Sequence, residues 1–101
     1  MTLEINQLFN IEGKTAVVTG GSRGIGEMIA SGFLANGTKV VITARKEEPL
    51  VKKAEELEKK LGVSCVPFCV DLSSAGGIKL FVKFITENYS DGINFLINNA
   101  G

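Results

Sequence analysis

The stretch TGGSRGIG, residues 19–26, places four glycines directly after the apolar run TAVVT at 15–19. Glycine weakens helices and strands, because it loses more backbone freedom on folding than any other residue. A chain with so many glycines at the end of a strand must therefore bend sharply there or let its backbone approach another group. The surrounding sequence indicates which elements this turn joins.

Four apolar runs of strand length recur along the chain and are rich in Val, Ile and Phe. They are TAVVT (15–19), KVVIT (39–43), SCVPFCV (64–70) and INFLIN (93–98). Three of them hold no charged residue, which is typical of strands that are covered on both faces in a parallel sheet. The turn at 19–26 thus follows the first strand of such a sheet.

The segments between these runs carry apolar side chains at the three- to four-residue spacing of amphipathic helices. The predicted buried faces are Ile25, Met28, Ile29 and Phe33 in the first helix, Leu50, Ala54, Leu57 and Leu61 in the second, and Ile78, Phe81, Val82 and Ile85 in the third. Glycine favours the left-handed turn that ends a helix, and serine favours a helix start. The predicted ends are Gly37, Gly62 and Gly92, and the predicted cap of the third helix is Ser73 or Ser74.

The whole chain, residues 1–101, is interpreted as one α/β domain with the element order βαβαβαβ. The spacing of the strands suits right-handed crossovers, so we expect a doubly wound parallel sheet. Pro67 lies in the third strand and has no N–H to donate to a neighbour, which predicts that this strand is at an edge. The strand order 3-2-1-4 meets that condition.

Composition and charge exclude several function classes. Eleven basic and eleven acidic residues balance, so no positive field attracts nucleic acid or an anionic membrane. No apolar run reaches the about 18 residues of a membrane span, and the opening residues lack the pattern of a secretory signal, so we expect a cytoplasmic protein.

The cysteines and the absence of histidine exclude two further kinds of site. Cys65 and Cys69 would be roughly 13 Å apart along a strand, too far for a disulfide, and are expected to be small buried apolar residues. With two cysteines and no histidine, the sequence predicts no metal site.

In a doubly wound sheet the turn after the first strand lies at the carboxyl edge, where ligands bind. The following helix offers unpaired N–H groups and the positive end of its dipole to an anion such as a diphosphate. We expect Gly20 to turn the chain, Gly24 to admit the phosphates and Gly26 to let the helix approach the strand. The alternative is an ordinary strand–helix turn whose glycines only allow tight packing.

Three motifs resemble those of the short-chain dehydrogenase/reductase family. TGGSRGIG is similar to its T-G-x-x-x-G-x-G fingerprint, NNAG at 98–101 to its second signature, and DL at 71–72 to its adenine-pocket pair. The motifs occur in the family's order, and the resemblance extends from Phe9 to Gly101. It implies a Rossmann fold that binds a nicotinamide dinucleotide. The implied contact residues are Gly20, Ser22, Arg23, Gly24, Ile25, Gly26, Arg45, Asp71, Leu72, Asn98, Ala100 and Gly101.

The resemblance also implies individual roles for some of these residues. Asp71 would accept from the adenine amino group while Leu72 covers the ring, although an aspartate after a strand often binds nearby backbone N–H groups instead. Asn98 would contact the ribose region of the cofactor, and Asn99 would tie adjacent strands through its side chain. The backbone at 100–101 would pass near the nicotinamide ribose.

The end of the second strand indicates which nucleotide is bound. An enzyme that uses NAD(H) wants a carboxylate there for the ribose hydroxyls, whereas this sequence has Ala44 followed by Arg45. Arg23 is a second cation near the same pocket, and two guanidiniums can hold a 2′-phosphate. The resemblance therefore implies NADP(H) rather than NAD(H). The alternative is that both arginines are solvated surface charges.

The family's chemistry uses a Y-x-x-x-K pair that these 101 residues lack, since Ile93 stands four positions after Tyr89. No catalytic residue is assigned, and we expect the chain to be the cofactor-binding front portion of a longer reductase, truncated relative to the full fold. That enzyme would transfer a hydride between the nicotinamide and a small carbonyl or alcohol substrate, such as a 3-oxoacyl thioester. The family resemblance implies a homo-oligomer when complete.

Two other functions stay open. The chain could be a truncated, non-catalytic module that binds a nucleotide or a partner, which the missing tyrosine–lysine pair favours. It could also be a receiver-like or flavodoxin-like α/β domain. A receiver would need clustered acidic residues at the strand ends, where only Asp71 is present.

Overall fold

The computed structural model describes residues 11–99, in which four strands and three helices alternate. The elements are β1 (Thr15–Thr19), α1 (Gly24–Ala35), β2 (Lys39–Ala44), α2 (Glu47–Leu61), β3 (Cys65–Cys69), α3 (Ala75–Asn88) and β4 (Phe95–Asn98). Neighbouring strands pair in parallel, in the order β3-β2-β1-β4. The predicted doubly wound α/β sheet and its strand order are therefore confirmed.

The strand order places β1 inside the sheet and β3 at an edge. Val17 of β1 is paired with Val41 of β2 on one side and with Leu96 of β4 on the other. Pro67 of β3 pairs with Ile42 of β2, and an edge strand tolerates a residue that has no N–H. The glycine-rich turn after β1 consequently emerges in the middle of the carboxyl edge, between neighbouring strands.

The core lies where α1 and α2 pack on the sheet. Leu34 of α1 and Leu50 of α2 are almost completely buried, and such burial stabilises the fold by about 1.5–3 kcal/mol for each side chain. The face predicted for α2 is correct, because Leu50, Ala54 and Leu57 are buried and Leu61 packs against them. This packing fixes where α2 begins, and its start forms one wall of the site described below.

The face predicted for α1 is wrong for two of its four residues, since the side chains of Ile25 and Met28 are 69% and 73% exposed. The buried residues are instead Gly26, Ala30 and Leu34, which recur about once in each helical turn. At the first turn of the helix a small residue faces the sheet, because Gly26 lies against the carbonyl of Gly20, and this approach is too close for a side chain. A pattern built from large apolar residues misses such a face.

Helix α3 contacts β3 through aromatic rings. Phe68 of β3 stacks on Phe84 of α3 with 4.2 Å between the ring centroids, and Phe81 lies 6.2 Å from Phe68. Two residues of the predicted face, Ile78 and Val82, are exposed. The prediction for α3 is therefore only partly correct, because the rings and not the aliphatic side chains fill the contact with the strand.

Two of the three predicted helix ends agree with the backbone: Gly62 is the left-handed cap of α2, and Gly37, which also has positive φ, directly follows Asn36, the cap of α1. The prediction for the third helix is wrong, because α3 ends at Asn88 with Tyr89 as its cap, and Gly92 bends the chain further on, before β4. Of the two candidate serines, Ser74 is the cap of α3, because its side chain accepts a hydrogen bond from the N–H of Gly77.

Cys65 is buried and Cys69 is exposed, and both thiols are free. The expectation that Cys69 is buried is wrong, because this residue ends an edge strand, where fewer neighbours cover it. Burial raises the pKa of the Cys65 thiol to about 12.

Over residues 11–99, no helix has the length and apolar character to cross a membrane. In the same residues, no cluster of acidic and cysteine side chains could hold a metal ion.

Candidate functional site

The turns after β1, β2 and β3 meet at the carboxyl edge of the sheet and enclose an open cleft of about 930 Å³. Seven of the residues predicted to bind the cofactor line this cleft: Gly20, Ser22, Arg23, Arg45, Asp71, Leu72 and Asn98. Gly24, Ile25 and Gly26 form the first turn of α1 and follow the lining residue Arg23 directly. Ala100 and Gly101 lie outside the described residues.

Four further lining residues were missed by the sequence analysis: Thr43, Lys46, Pro49 and Val70. Lys46 adds a third cation and directly follows Arg45, so the run ARK at 44–46 is the signal that would have found it. The other three, which carry no charge, form part of the wall of the cleft. Their place in the cleft follows from the packing of β2, β3 and α2, which residue types alone do not reveal.

The glycine turn bends at two residues with left-handed backbone. Gly20 has φ 68° and Gly24 has φ 61°, a region that residues with a side chain rarely adopt. The N–H of Gly20 donates to the carbonyl of Thr43 at 2.9 Å, which ties the turn to β2. A Cβ on Gly26 would overlap the carbonyl oxygen of Gly20, whereas a Cβ on Gly24 would meet no atom within 4 Å. Gly26 thus allows close packing, and Gly24 leaves free space in front of the helix.

The start of α1 has no side chain to satisfy its first backbone N–H groups. Arg23 occupies the capping position with extended backbone, and its side chain makes no capping hydrogen bond. The first four N–H groups of any helix lack partners within the helix, and the helix dipole adds positive potential at that end. This helix start, beside open space and along one wall of the cleft, is suited to bind an anion.

Three cations stand around the same cleft. Arg23 precedes α1, and Arg45 and Lys46 precede α2. Ala44 ends β2 where a carboxylate would bind ribose hydroxyls. Among the described lining residues, Asp71 is the sole carboxylate, so the charge of the cleft favours an anionic ligand.

Asp71 is engaged in a local turn. Its Oδ1 accepts from the hydroxyl of Ser73 at 2.6 Å and from the backbone N–H of Ser73 at 2.9 Å. The Ser73 hydroxyl, its N–H and the nearby charge of Arg45 lower the pKa of the Asp71 carboxyl. The local alternative considered for this aspartate is therefore present, and within residues 11–99 no hydrogen bond is found to its Oδ2.

The ends of β1 and β4 are joined by side chains at the centre of the edge. The Thr19 hydroxyl lies 3.1 Å from Oδ1 of Asn98 and accepts from the N–H of Asn99 at 2.9 Å. The side-chain amide of Asn99 donates to the carbonyl of Gly20 at 3.4 Å, so this residue does tie the two strands. These contacts hold Asn98 at the cleft and fix the position of Gly20.

The one tyrosine of the chain lies away from the cleft. Tyr89 ends α3 and packs edge-on against Phe84, with 6.1 Å between the ring centroids. Partial burial raises the pKa of its phenol. Tyr89 is therefore a packing residue in this structure.

A family model described as short chain dehydrogenase matches residues 14–101 of the chain. The rhamnolipids biosynthesis 3-oxoacyl-(acyl-carrier-protein) reductase of Pseudomonas aeruginosa is 41% identical over 93 residues, which are 92% of this chain and 35% of that protein. The chain thus spans about a third of the length of such curated relatives.

The fold is also similar to that of solved structures. L-sorbose reductase from Gluconobacter frateurii, complexed with NADPH and L-sorbose, has a TM-score of 0.85 and 38% identity, covering 90% of this chain and 34% of that chain. The NADP active-site complex of Pseudomonas aeruginosa RhlG has a TM-score of 0.84 and 40% identity, covering 90% of this chain and 36% of that chain.

Proposed function

This chain belongs to the short-chain dehydrogenase/reductase family, and we propose that it supplies the cofactor-binding part of an NADP(H)-dependent oxidoreductase. The observation that carries the proposal is the start of α1, which has no side-chain cap and adjoins a cleft bordered by cations. The backbone N–H groups there would bind the diphosphate of a dinucleotide. Gly24 would let that diphosphate approach, since its α-carbon faces open space.

The choice of NADP(H) over NAD(H) depends on the end of β2. Ala44 offers no carboxylate to the ribose hydroxyls, while Arg45 and Arg23 border the same cleft from two sides. A 2′-phosphate between two guanidiniums gains charge-assisted hydrogen bonds that a 2′-hydroxyl does not make. Lys46 would add a third cation to this phosphate subsite. The relatives solved with NADP and NADPH support the same choice.

The remaining predicted contacts are those of Asn98, Leu72 and Asp71, which all line the cleft. Asn98 is held at the cleft by Thr19, where it would contact the ribose region, and Leu72 would cover the adenine. Asp71 would accept from the adenine amino group through Oδ2, since Oδ1 is used by Ser73.

The backbone around the helix start completes the proposed contacts. Ser22 and Ile25 would contribute to the diphosphate seat, on either side of Arg23 and Gly24. The roles proposed for the backbone at 100–101, near the nicotinamide ribose, lie outside the described residues.

The bound nicotinamide would supply or accept the hydride of the reaction. What these residues do is bind and orient the dinucleotide, and none of them is proposed to act on the substrate. The substrate we propose is a small carbonyl compound, with 3-oxoacyl thioesters favoured by the named 3-oxoacyl relative. The proposal includes a cytoplasmic homo-oligomer, which cell fractionation and light scattering of the full-length protein would check.

A second candidate is a nucleotide- or partner-binding module that does not turn over a substrate. The observation in its favour is the lack of a Y-x-x-x-K pair in these 101 residues. The two candidates separate in one assay of the full-length protein, because only an enzyme would oxidise NADPH when a 3-oxoacyl thioester or another carbonyl substrate is added.

The test of the cofactor proposal is Arg45→Asp in the full-length protein, titrated with NADPH and with NADH. Loss of a charged hydrogen-bond partner should weaken NADPH binding about ten- to hundred-fold, while NADH binding changes little or improves. Lys39→Asp is the matched control, because it makes the same charge change on an exposed residue at the opposite end of β2. An unchanged preference between the two cofactors in Arg45→Asp would refute the assignment.

A further inference from the structure

An ion pair joins the two helices that begin at the cleft. Nζ of Lys53 in α2 lies 3.2 Å from Oε2 of Glu27 in α1, and the two side chains are only 20% and 35% exposed. Among residues 11–99, no other side-chain hydrogen bond links these two helices. Lys53 also contacts Glu56, one turn further along its own helix, at 3.3 Å. The bond to Glu27 raises the pKa of the Lys53 ammonium, which therefore stays charged at neutral pH.

The pair lies about one helical turn beyond Arg23, which precedes α1, and about two turns beyond Lys46, which precedes α2. On α1, Glu27 follows Arg23 by four residues, and its backbone N–H donates to the Arg23 carbonyl at 3.3 Å. On α2, Lys53 follows the lining residue Pro49 by four residues, a separation of about one helical turn. Arg45 comes just before α2. The ion pair thus connects the segment that carries Arg23 to the segment that carries Arg45.

The core holds the first turns of both helices on the sheet through Gly26 and Leu50, but the residues Arg23, Arg45 and Lys46 that precede these turns are exposed and lie outside this packing. Neither start has a side-chain cap, so neither is tied down by its own turn. The backbone bond from Gly20 to Thr43 fixes the strand ends, which precede both arginines. A displacement of one helix start relative to the other would change the gap between the two guanidiniums without breaking that bond.

We propose that the Glu27–Lys53 pair is a positioning device that sets the spacing of Arg23 and Arg45 for the 2′-phosphate. The inference rests on the proposed function and extends it to two residues that do not line the cleft. It makes the preference for a 2′-phosphate depend on an interhelical contact as well as on the charges of the arginines.

The sign of the effect separates this role from simple electrostatics. Glu27→Gln removes a negative charge near the cleft, so the field alone would strengthen the binding of an anion. Loss of a spacing device would weaken it. Glu27→Gln is therefore the informative variant, since for Lys53→Gln both explanations give weaker binding.

The experiment uses the full-length protein and two probes, adenosine 2′,5′-bisphosphate and adenosine 5′-monophosphate, measured by isothermal titration calorimetry. In Glu27→Gln, the affinity for the bisphosphate should fall roughly two- to five-fold, the range expected from a partly exposed ion pair, with a smaller change for the monophosphate. The double variant Glu27→Gln/Lys53→Gln should be no worse than the weaker of the two single variants. Lys53→Arg should retain the native ratio of affinities.

Glu56→Gln is the matched control, because it removes the other carboxylate partner of Lys53 without touching α1. Its affinities should stay native, and thermal melts would check that all variants fold. Tighter or unchanged bisphosphate binding in Glu27→Gln overturns the inference, as does an equal loss for both probes, which would indicate a general structural role. A native protein with no preference for the bisphosphate would instead overturn the proposed NADP(H) function and the inference with it.

Discussion

The turn after β1 and the turn after β3 both bring the start of the following helix close to the end of the strand. In each, a glycine six residues beyond the bend lies against a backbone carbonyl, Gly26 against Gly20 and Gly77 against Asp71. A Cβ at either position would overlap that oxygen. Both helices therefore approach the end of their strand as closely as the backbone permits.

The two turns differ in what satisfies the start of the helix. At α3, the Ser74 hydroxyl accepts from Gly77 and the Asp71 carboxylate accepts from Ser73, so the chain itself binds its free N–H groups. At α1, no side chain takes this part. Glycines thus explain close packing in both turns, while the missing cap separates the turn before α1 from the turn before α3. The start of α2 is also uncapped, and the glycine turn differs from it by the open space at Gly24.

The largest effect is expected from Gly26→Ala. The new methyl group would collide with the Gly20 carbonyl, and the close-packed core around α1 cannot move aside. We expect the free energy of unfolding to fall by about 1–3 kcal/mol, measured by urea denaturation, together with loss of NADPH binding. Gly32→Ala is the control in the same helix. It meets no atom within 4 Å and should raise stability by about 0.5–1 kcal/mol.

Gly77→Ala tests the same contact in the second turn. The loss should be smaller, about 1–2 kcal/mol, because most of α3 is exposed and the helix can shift. The neighbouring Gly76→Ala is the control, since a side chain there points into open space and should stabilise the helix. Equal stability of the two variants would contradict the close contact with Asp71.

Substitutions at the two capping positions, Ser74 and Arg23, should have opposite effects on stability and on NADPH affinity. Ser74→Ala should lower the free energy of unfolding by about 1 kcal/mol and leave NADPH affinity within twofold, because it removes a cap that faces no phosphate. Arg23→Ala should change stability by less than about 0.5 kcal/mol and weaken NADPH binding about tenfold. Calorimetric melts and titrations of the full-length variants measure both quantities. A stability loss in Arg23→Ala as large as in Ser74→Ala would show that Arg23 is a structural cap.

The smallest effect concerns the two ends of β3, the strand that leads into the second turn. Iodoacetamide should label the exposed Cys69 rapidly at pH 8 and the buried Cys65 only when the fold opens, with Cys69→Ser as the control. Because burial raises the pKa of Cys65 from 9.0 to about 12, its neutral thiol stabilises the fold below pH 9. That stabilisation is lost as pH rises from 9 towards 12. Rapid labelling of Cys65 in the native protein would contradict its burial.

The sequence predicted the fold correctly where a residue type restricts the structure in a single way. Pro67 lacks an N–H and indicated the edge strand, and Leu50 with Leu57 marked the buried face of α2. The sequence misled where a small residue does the packing. Gly26 faces the sheet in α1, and a pattern of large apolar residues pointed to Met28 instead.

The site was predictable to a similar extent. The glycine spacing located the cleft, and Arg23 and Arg45 both line it. Lys46 was missed although it directly follows Arg45 in the run ARK at 44–46, and the Glu27–Lys53 pair was missed because it depends on how two helices lie side by side. The local hydrogen bonds of Asp71 were foreseen only as an alternative to its proposed role.

A crystal structure of the full-length protein with NADPH bound is the most direct test of the central claim. We expect diphosphate oxygens within about 3 Å of the backbone N–H groups at the start of α1, with the 2′-phosphate between Arg23 and Arg45. A diphosphate bound at the start of α3, or a cleft filled by protein side chains with the cofactor elsewhere, would contradict the account.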